Sequence, residues 1–310
     1  MNIIPKIKVI GIGGAGVNTV SRMAKCGFDY VELIAINTDA QSLRFSRVPH
    51  KLLIGENVTF GLGTGMDIGL GEKAIKESKE KVKEVLKGAE MIFLTSGFGG
   101  GTGSSCLPIV GGMAKNLGIL TIAVITKPFS FEGIQRQRVA NKGLRNLKGK
   151  VDSLICIPND KLLKIVGKNT SVEDAFWLCD RILREAIQGI SDLIFFPGII
   201  NVDLADIRGI LKNSGEAFFG QAKAEGENRA VTAADKALHS PLVDFPITKA
   251  RGVLLNIAGG EDLSLFEIQE AAGFIKKTVS QDAKISFGAS EDKTLKKGEI
   301  KITIIATGVN

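Results

Sequence analysis

The 310-residue sequence predicts an α/β protein, with a parallel sheet in its first half and a smaller α/β domain after it. Three observations carry this. Near-continuous apolar runs of strand length alternate with helically spaced segments as far as "SLICIPN" at 153–159, the pattern of a parallel sheet covered on both faces. A long helical stretch follows, "SVEDAFWLCDRILREAIQGISDLI" at 171–194. Beyond it, strand and helix signals resume in a different arrangement, with no internal repeat or low-complexity tract.

Taken in order, "IKVIGIG" (7–13) is a short β-branched run, and "NTVSRMAKCG" behind it has helical spacing. "ELIAIN" (32–37), "MIFLTSG" (91–97), "ILTIAVITKP" (119–128) and "SLICIPN" are further strands. Between 71 and 88, "GEKAIKESKEKVKEVLKG" alternates charge signs and spaces Ile75, Val82, Val85 and Leu86 as one solvated amphipathic helix would. "GSSCLPIVGGMAKNLG" and "EGIQRQRVANKGLRNLKG" are the later helices between strands. Pro197-Gly198 ends the long helix, and "INVDLADIRGILKNSG" and a segment around 226–239 supply shorter ones. "GVLLNIAGGEDLSLFEIQEAAGFIKKTV" reads as strand, turn and helix. "AKISFGAS" and "EIKITIIATG" are strands joined by the charged turn "EDKTLKKG".

Composition narrows the function classes. Hydrophobic residues make up 44% and charged residues 24%, as in a globular protein rather than a disordered one. No apolar run approaches the roughly 18 residues of a membrane span, and "MNIIPKIKVIGIG" opens a strand without a cleavage-site pattern behind it. A cytoplasmic protein without membrane insertion is expected. Cys26, Cys106, Cys156 and Cys179 lack metal-ligand spacing and are expected as reduced, mostly packing thiols, Cys106 included. His50 and His239 are too few and too far apart for a histidine metal site, so no protein metal centre is expected. The net charge of +7 raises nucleic acid as a partner. The lysines are dispersed along the chain, however, and one Trp and one Tyr offer no aromatic interleaving. Nucleic-acid binding is disfavoured.

Chemistry gathers at the strand ends. "GGAGVN", "NTDAQ", "SGFGGGTGSS", "KPFSFEG" and "IPND" each begin where a strand stops, and ligands of open parallel sheets bind beyond the strands' carboxyl ends. Gly11, Gly13 and Gly16 fit G-x-G-x-x-G, with Asp39 some distance on. That is the dinucleotide fingerprint, so an NAD-dependent oxidoreductase is one reading and a bare tight turn another. The second glycine loop, "GGGTGSS", changes the balance. Bare amides and a helix dipole at each loop suit a triphosphate gripped from two sides. Neither loop holds the lysine of a G-x-x-x-x-G-K-[ST] motif, so glycines and amides must do the holding.

"GGGTGSS" closely resembles the G-G-G-T-G-[ST]-G signature of the tubulin/FtsZ superfamily. "INTDAQSL", "GLGTG", "KPFSFEG", "IPNDKLL", "GIINVDLAD", "GENRA", "ARGVLLNIAGGEDLSL" and the terminal "ATG" are similar, in order, to segments of the FtsZ cell-division GTPases. The resemblance runs from about Lys6 to the end of the sequence. It implies a Rossmann-type GTP-binding domain over 1–170, a central linking helix over 171–195 and an assembly domain over 196–310. By similarity, Gly13, Gly14 and Gly16 form the first phosphate-side loop and Asn18 reaches the base. Asp39 belongs to the "NTDAQ" loop, while Gly63, Thr64 and Gly65 lie near the γ-phosphate. Gly99, Gly100, Gly101, Thr102 and Gly103 wrap the phosphates. Glu132 and Arg136 are similar to ribose- and phosphate-side contacts, and Asn159 to the asparagine of the sugar/base loop. Phe176 and Asp180 match the pair that stacks on guanine and accepts its N–H groups. Guanine's adjacent N1–H and N2–H₂ donors suit a single carboxylate, which adenine cannot satisfy.

"NVDLAD" places Asn201, Asp203 and Asp206 together, and the two aspartates share one face of a first helical turn. On the residues alone, this is helix capping and dipole compensation. The resemblance implies more: these residues complete the hydrolytic site of a neighbouring subunit. GTP hydrolysis to GDP and phosphate then depends on head-to-tail self-assembly, with Mg²⁺ bridging the phosphates. It also implies cytokinetic-ring filaments at mid-cell, partners among division proteins and membrane tethers, or, alternatively, a divergent paralogue forming structural filaments with weak hydrolysis. The sequence departs from the family at Ser105, where the signature has glycine, and in its positive charge. It also stops at "IATGVN", without the linker and tail peptide that reach a tether.

Overall fold

The computed structural model describes residues 5–308, apart from 29, 164–165, 168, 196–197, 241–246 and 293; the helix stop expected at Pro197 therefore lies outside the described residues. Two compact units divide the chain, Met1–Arg184 and Glu185–Asn310.

In the first unit the strands are β1 (Ile7–Ile12), β2 (Glu32–Asn37), β3 (His50–Leu53), β4 (Met91–Gly97), β5 (Leu120–Lys127) and β6 (Ser153–Pro158). The helices are α1 (Gly13–Lys25), α2 (Ala40–Phe45), α3 (Glu56–Thr59), α4 (Ile68–Glu77), α5 (Lys79–Leu86), α6 (Gly101–Asn116), α7 (Ile134–Leu147) and α8 (Asn159–Leu162). A long helix, α9 (Val172–Phe195), contains the division between the units. The strands form one parallel sheet in the order β3-β2-β1-β4-β5-β6. Every residue of β1 is buried, as are all but the first of β2 and all but the last of β4. Helices cover both faces, so these strands are continuously apolar rather than alternating. Ile10, Ile36, Leu94 and Ile125 join Val82, Leu86, Leu107 and Val110 of the covering helices in one core.

This strand order reverses direction between β1 and β4. The chain leaves β1 toward β2 and β3, then returns to add β4, β5 and β6 on its other side. Such a switch point opens a crevice at the strands' carboxyl ends. Both glycine loops flank it, because they follow β1 and β4, which pair directly (Gly11 opposite Thr95).

The single helix expected over 71–88 is two helices. Ser78, with φ −95° and ψ 15°, separates α4 from α5. Its hydroxyl accepts a bond from the Gly55 amide at 3.0 Å. Satisfying that buried donor justifies the break.

The second unit holds α10 (Leu204–Leu211), β7 (Gly215–Glu225), α11 (Arg229–Leu238), β8 (Gly252–Gly259), α12 (Leu265–Thr278), β9 (Lys284–Glu291) and β10 (Glu299–Thr307). Its strands run β7-β10-β8-β9. β10 is antiparallel to β7 and β8, while β8 and β9 are parallel. The turn "EDKTLKKG" thus does not make a hairpin, since β8 lies between the strands it joins. Ala233, Ala237, Leu255, Ile275 and Ile302 belong to this unit's own core. Arg229 of "GENRA" is 6% exposed and bonds to Asp262 of "GGEDLSL" at 2.9 Å and to Glu267, just beyond that motif, at 2.5 Å. Glu267 also closes a capping box with Ser264 at the start of α12. Two of the sequence motifs thereby serve the architecture. Among the described residues no helix is long and apolar enough to cross a membrane.

Candidate functional site

At the switch point lies a cleft of about 520 Å³, and every residue lining it belongs to the first unit. Helices α1 and α6 begin at its edge. Neither has a side-chain cap or an acidic residue in its first turn, so first-turn amides and the positive dipole ends remain open. The remaining rim is built by side chains. Thr102 Oγ1 lies 2.7 Å from Thr38 Oγ1 and 3.2 Å from Thr64 Oγ1, a hydroxyl chain joining three loops. Asp39 caps α2 through Ser42 N, which fixes the "NTDAQ" turn.

The far end of the cleft is aromatic and acidic. Phe176 and Asp180, one turn apart on α9, both line it, as their spacing predicts. Phe176 is 39% exposed and meets buried Phe129 edge-to-face at 5.5 Å, which leaves a ring surface free for stacking. Asp180 accepts from Thr19 Oγ1 at 3.0 Å and pairs with Arg22 at 2.6 Å. Burial pushes its carboxyl above the ordinary value, against the opposing pull of Arg22 and Thr19. Asn159 is 4% exposed, and its Oδ1 has no partner. A buried acceptor aimed into a cleft without a partner is a place for a ligand donor.

Of the residues expected to hold nucleotide, Gly13, Gly14, Asn18, Asp39, Gly63, Thr64, Gly65, Gly100, Gly101, Thr102, Gly103, Glu132, Arg136, Asn159, Phe176 and Asp180 line this cleft. Gly16 and Gly99 do not; they lie behind the wall. A Cβ on Gly16 would stand 2.4 Å from the Thr95 carbonyl, so this glycine lets α1 close onto β4. Gly99 has φ +112° and turns the chain toward α6, its amide donating to Ser104 Oγ at 2.9 Å. Asn201, Asp203 and Asp206 belong to the second unit. Asp203 Oδ1 caps α10 by accepting from Asp206 N at 2.7 Å, and Asn201 Oδ1 accepts from Gly198 N at 2.7 Å.

The sequence reading missed Thr19, Arg22 and Thr38. Thr19 and Arg22 stand three apart on α1, just beyond Asn18, and only the fold reveals the carboxylate they meet. Cys106 is fully buried, and burial pushes its thiol to about 12, as it does for Cys179 at the cleft's edge. Neither is a nucleophile.

Residues 6–167 match the family model of the Tubulin/FtsZ GTPase domain. Residues 215–310 match that of the FtsZ C-terminal domain. The chain belongs to the tubulin/FtsZ family. It is a guanine-nucleotide-binding GTPase of that family, which closes the oxidoreductase reading of the first glycine loop. A solved structure of the FtsZ dimer, empty, from M. jannaschii is 40% identical, with a TM-score of 0.94 over 99% of this chain and 89% of that one. A point mutant of the same FtsZ is 41% identical, with a TM-score of 0.94 over 98% of this chain and 91% of that one. CetZ2 from Haloferax volcanii, described as a GTPγS-bound protofilament, shares the fold at 22% identity, with a TM-score of 0.83 over 98% and 93%.

Proposed function

We propose that the protein is a self-assembling GTPase whose subunits join head to tail into protofilaments, one subunit holding GTP and the next helping to hydrolyse it. The observation that carries this reading is the division of chemistry between units. Donors suited to phosphate and acceptors suited to guanine line a cleft of the first unit alone, while Asp203 and Asp206 stand at the start of α10 in the second. A relative described as a dimer and another described as a protofilament support self-association. A contact that brings one subunit's second unit to another's cleft uses two different patches, so it propagates instead of closing.

In this reading the amides of α1 and α6 bind the phosphates, and Thr64 and Thr102 hydroxyls donate to them. Phe176 stacks on the base. Asp180 exchanges Arg22 for guanine's N1–H and N2–H₂, and Asn159 Oδ1 takes a donor of the base or sugar. The neighbour's Asp206, with Asn201 and Asp203, orients and polarises the attacking water. Among the described residues no cluster of three acidic, histidine or cysteine side chains could hold a metal. Mg²⁺ bound with the phosphates would neutralise their charge, and the Thr64 and Thr102 hydroxyls and Asp39 are the cleft oxygens that would suit its shell. The biological role that follows is cytokinetic-ring formation at the division site in the cytoplasm, favoured over weakly hydrolysing structural filaments by the 40% identity to an FtsZ.

Pelleting with GTP against GDP, alongside phosphate release at rising protein concentration, tests this. The expected result is a threshold above which polymer appears and specific activity climbs. A specific activity independent of concentration refutes the shared site.

A further inference from the structure

The first unit holds a second cavity, larger than the nucleotide cleft. It is a groove of about 880 Å³ along α6. Lys76 of α4 and Lys79 and Lys83 of α5 form one wall. Arg145 near the end of α7, with Lys148 and Lys150 just after it, forms the other. The lysines that look dispersed in sequence are thus gathered by the fold, because Lys76, Lys79 and Lys83 share a stripe across the Ser78 break. Only Lys83 of these six has an ion pair among the described residues, with Glu80 at 2.8 Å. Glu72 is the one carboxylate lining the groove. The floor is apolar: Ile109 and Met113 on α6 and Leu117 at its C-cap follow one another at four-residue spacing, a line of about 12 Å. Leu117 is 53% exposed.

We propose that this groove is a docking site for an acidic amphipathic helix of another protein, its apolar stripe on Ile109, Met113 and Leu117 and its carboxylates between the two cationic walls. Charge complementarity selects the class. Six cations against one carboxylate make a local field that the chain's modest net charge hides, and it acts within a Debye length of about 8 Å. The floor selects the form. A phosphate or free nucleotide would leave the apolar line uncovered, whereas a helix with anchors at i, i+4 and i+8 matches it over about two turns. No aromatic ring lines the groove to stack a base. A bilayer is flat and would not reach the floor. A second copy of this chain is also a poor occupant. Its acidic concavity around Glu261, Asp262, Glu291 and Asp292 has the two aspartates already paired with Arg229 and Lys301.

The test uses the full chain and three fluorescein-labelled 14-residue peptides. The first is a Glu/Leu helix with leucines at i, i+4, i+7 and i+8. The second has the same composition scrambled to break the stripe, and the third has lysine for glutamate. Vesicles of phosphatidylglycerol are a fourth arm. Fluorescence anisotropy is expected to show binding of the striped acidic peptide that weakens from 50 to 300 mM salt, with the scrambled peptide at least tenfold weaker and the lysine peptide inert. Lys79→Glu/Lys148→Glu, which reverses one cation on each wall, is expected to lower affinity at least tenfold. Lys73→Glu/Lys142→Glu makes the same charge change on residues outside the groove and is expected to cost less than threefold. Both variants should keep the parent's unfolding midpoint, since all four lysines are exposed. Equal loss in the two variants, equal binding of the scrambled peptide, vesicle binding in place of peptide binding, or no binding at all overturns the proposal.

Discussion

Ser105 stands where the family signature has glycine, and the structure explains how the chain accommodates it. The Ser105 side chain is 2% exposed, and its hydroxyl donates to the Gly101 carbonyl at 2.7 Å, in the first turn of α6. The space it fills is opposite Gly71 of α4, where an added Cβ would lie 2.0 Å from Ser105 Oγ, 3.2 Å from its Cβ and 3.2 Å from Gly101 O. Gly71→Ala therefore overpacks this contact, at about 1–3 kcal/mol. If the hydroxyl rotates away, it relieves the clash but abandons a buried hydrogen bond, worth about 1–3 kcal/mol. Against this stands the helix-propensity gain of alanine over glycine, about 1 kcal/mol. The net expectation is a loss of about 1 kcal/mol. In a Ser105→Gly background two of the three close atoms are gone, so Gly71→Ala should be neutral or stabilising by up to about 1 kcal/mol. The coupling across the pair is then about 1–2 kcal/mol. Denaturant unfolding of the four proteins, followed by fluorescence of Trp177, the chain's only tryptophan, measures it. Because Gly101 opens the phosphate-side turn, GTP affinity should fall in Gly71→Ala and recover in the double variant. Additivity within about 0.5 kcal/mol would show that Ser105 and Gly71 are not matched.

Asp206→Ala should bind GTP normally and lose at least about 100-fold in turnover at concentrations where the parent assembles, the range for losing a positioned acid–base group; unchanged phosphate release removes this aspartate from the mechanism. Asp180→Asn should weaken GTP by about 10- to 100-fold, the cost of replacing charge-assisted by neutral hydrogen bonds, and erode discrimination against ATP in a competition assay. Gly101→Ala places a Cβ 2.4 Å from Thr64 Oγ1 and 2.8 Å from Asp67 O, so nucleotide binding should fail by filter assay. Gly14→Ala meets nothing within 4 Å and should leave the unfolding midpoint unchanged. The Arg229 hydrogen bond holds Glu267 down to about 2, and Lys301 with Thr294 holds Asp292 to about 2 against the opposing effect of burial. Folded values below the ordinary 4.5 and 3.8 mean stability that is complete above about pH 5 and lost as pH falls toward 2. Acid unfolding monitored by circular dichroism should therefore be less steep in Glu267→Gln.

Much of the first unit was legible because its strands are buried on both faces and read as unbroken apolar runs. β3 was not, because its four residues "HKLL" begin with two exposed ones and carry no pattern. β7 was missed for a different reason. "GEAFFGQAKAE" mixes glycine, alanine and charge, yet it pairs with β10 along nine residues, so backbone pairing rather than side-chain pattern defines it. In the site, glycine loops could be placed because strand ends converge whatever the side chains do. The Arg22–Asp180 pair could not be, since its members are far apart in sequence and meet only through the packing of α9 beside α1. The groove on α6 was hidden by the same limit. Periodicity assigns each lysine to a helix surface but does not say which surfaces face one another.

The charge of the nucleotide cleft shows why glycines are needed there. Its lining includes two cations, Arg22 and Arg136, each set against a carboxylate: Asp180 at 2.6 Å and Glu132 at 3.5 Å. Asp39 adds a third carboxylate, so the ionised side chains around the cleft sum to one negative charge (two cations less three anions). A triphosphate must bind against that field, and side-chain Coulomb attraction cannot be what holds it. What remains are amides at two uncapped helix ends, brought together at the switch point by β1 and β4 and approachable closely where Cβ atoms are missing. Donors of this kind are fixed in direction and do not compete with the guanine-reading carboxylate for charge. The groove on α6 inverts the design, setting six cations, five of them without an ion pair among the described residues, over apolar side chains. One surface is suited to recognising the shape of a small anion, and the other to the charge of a larger partner.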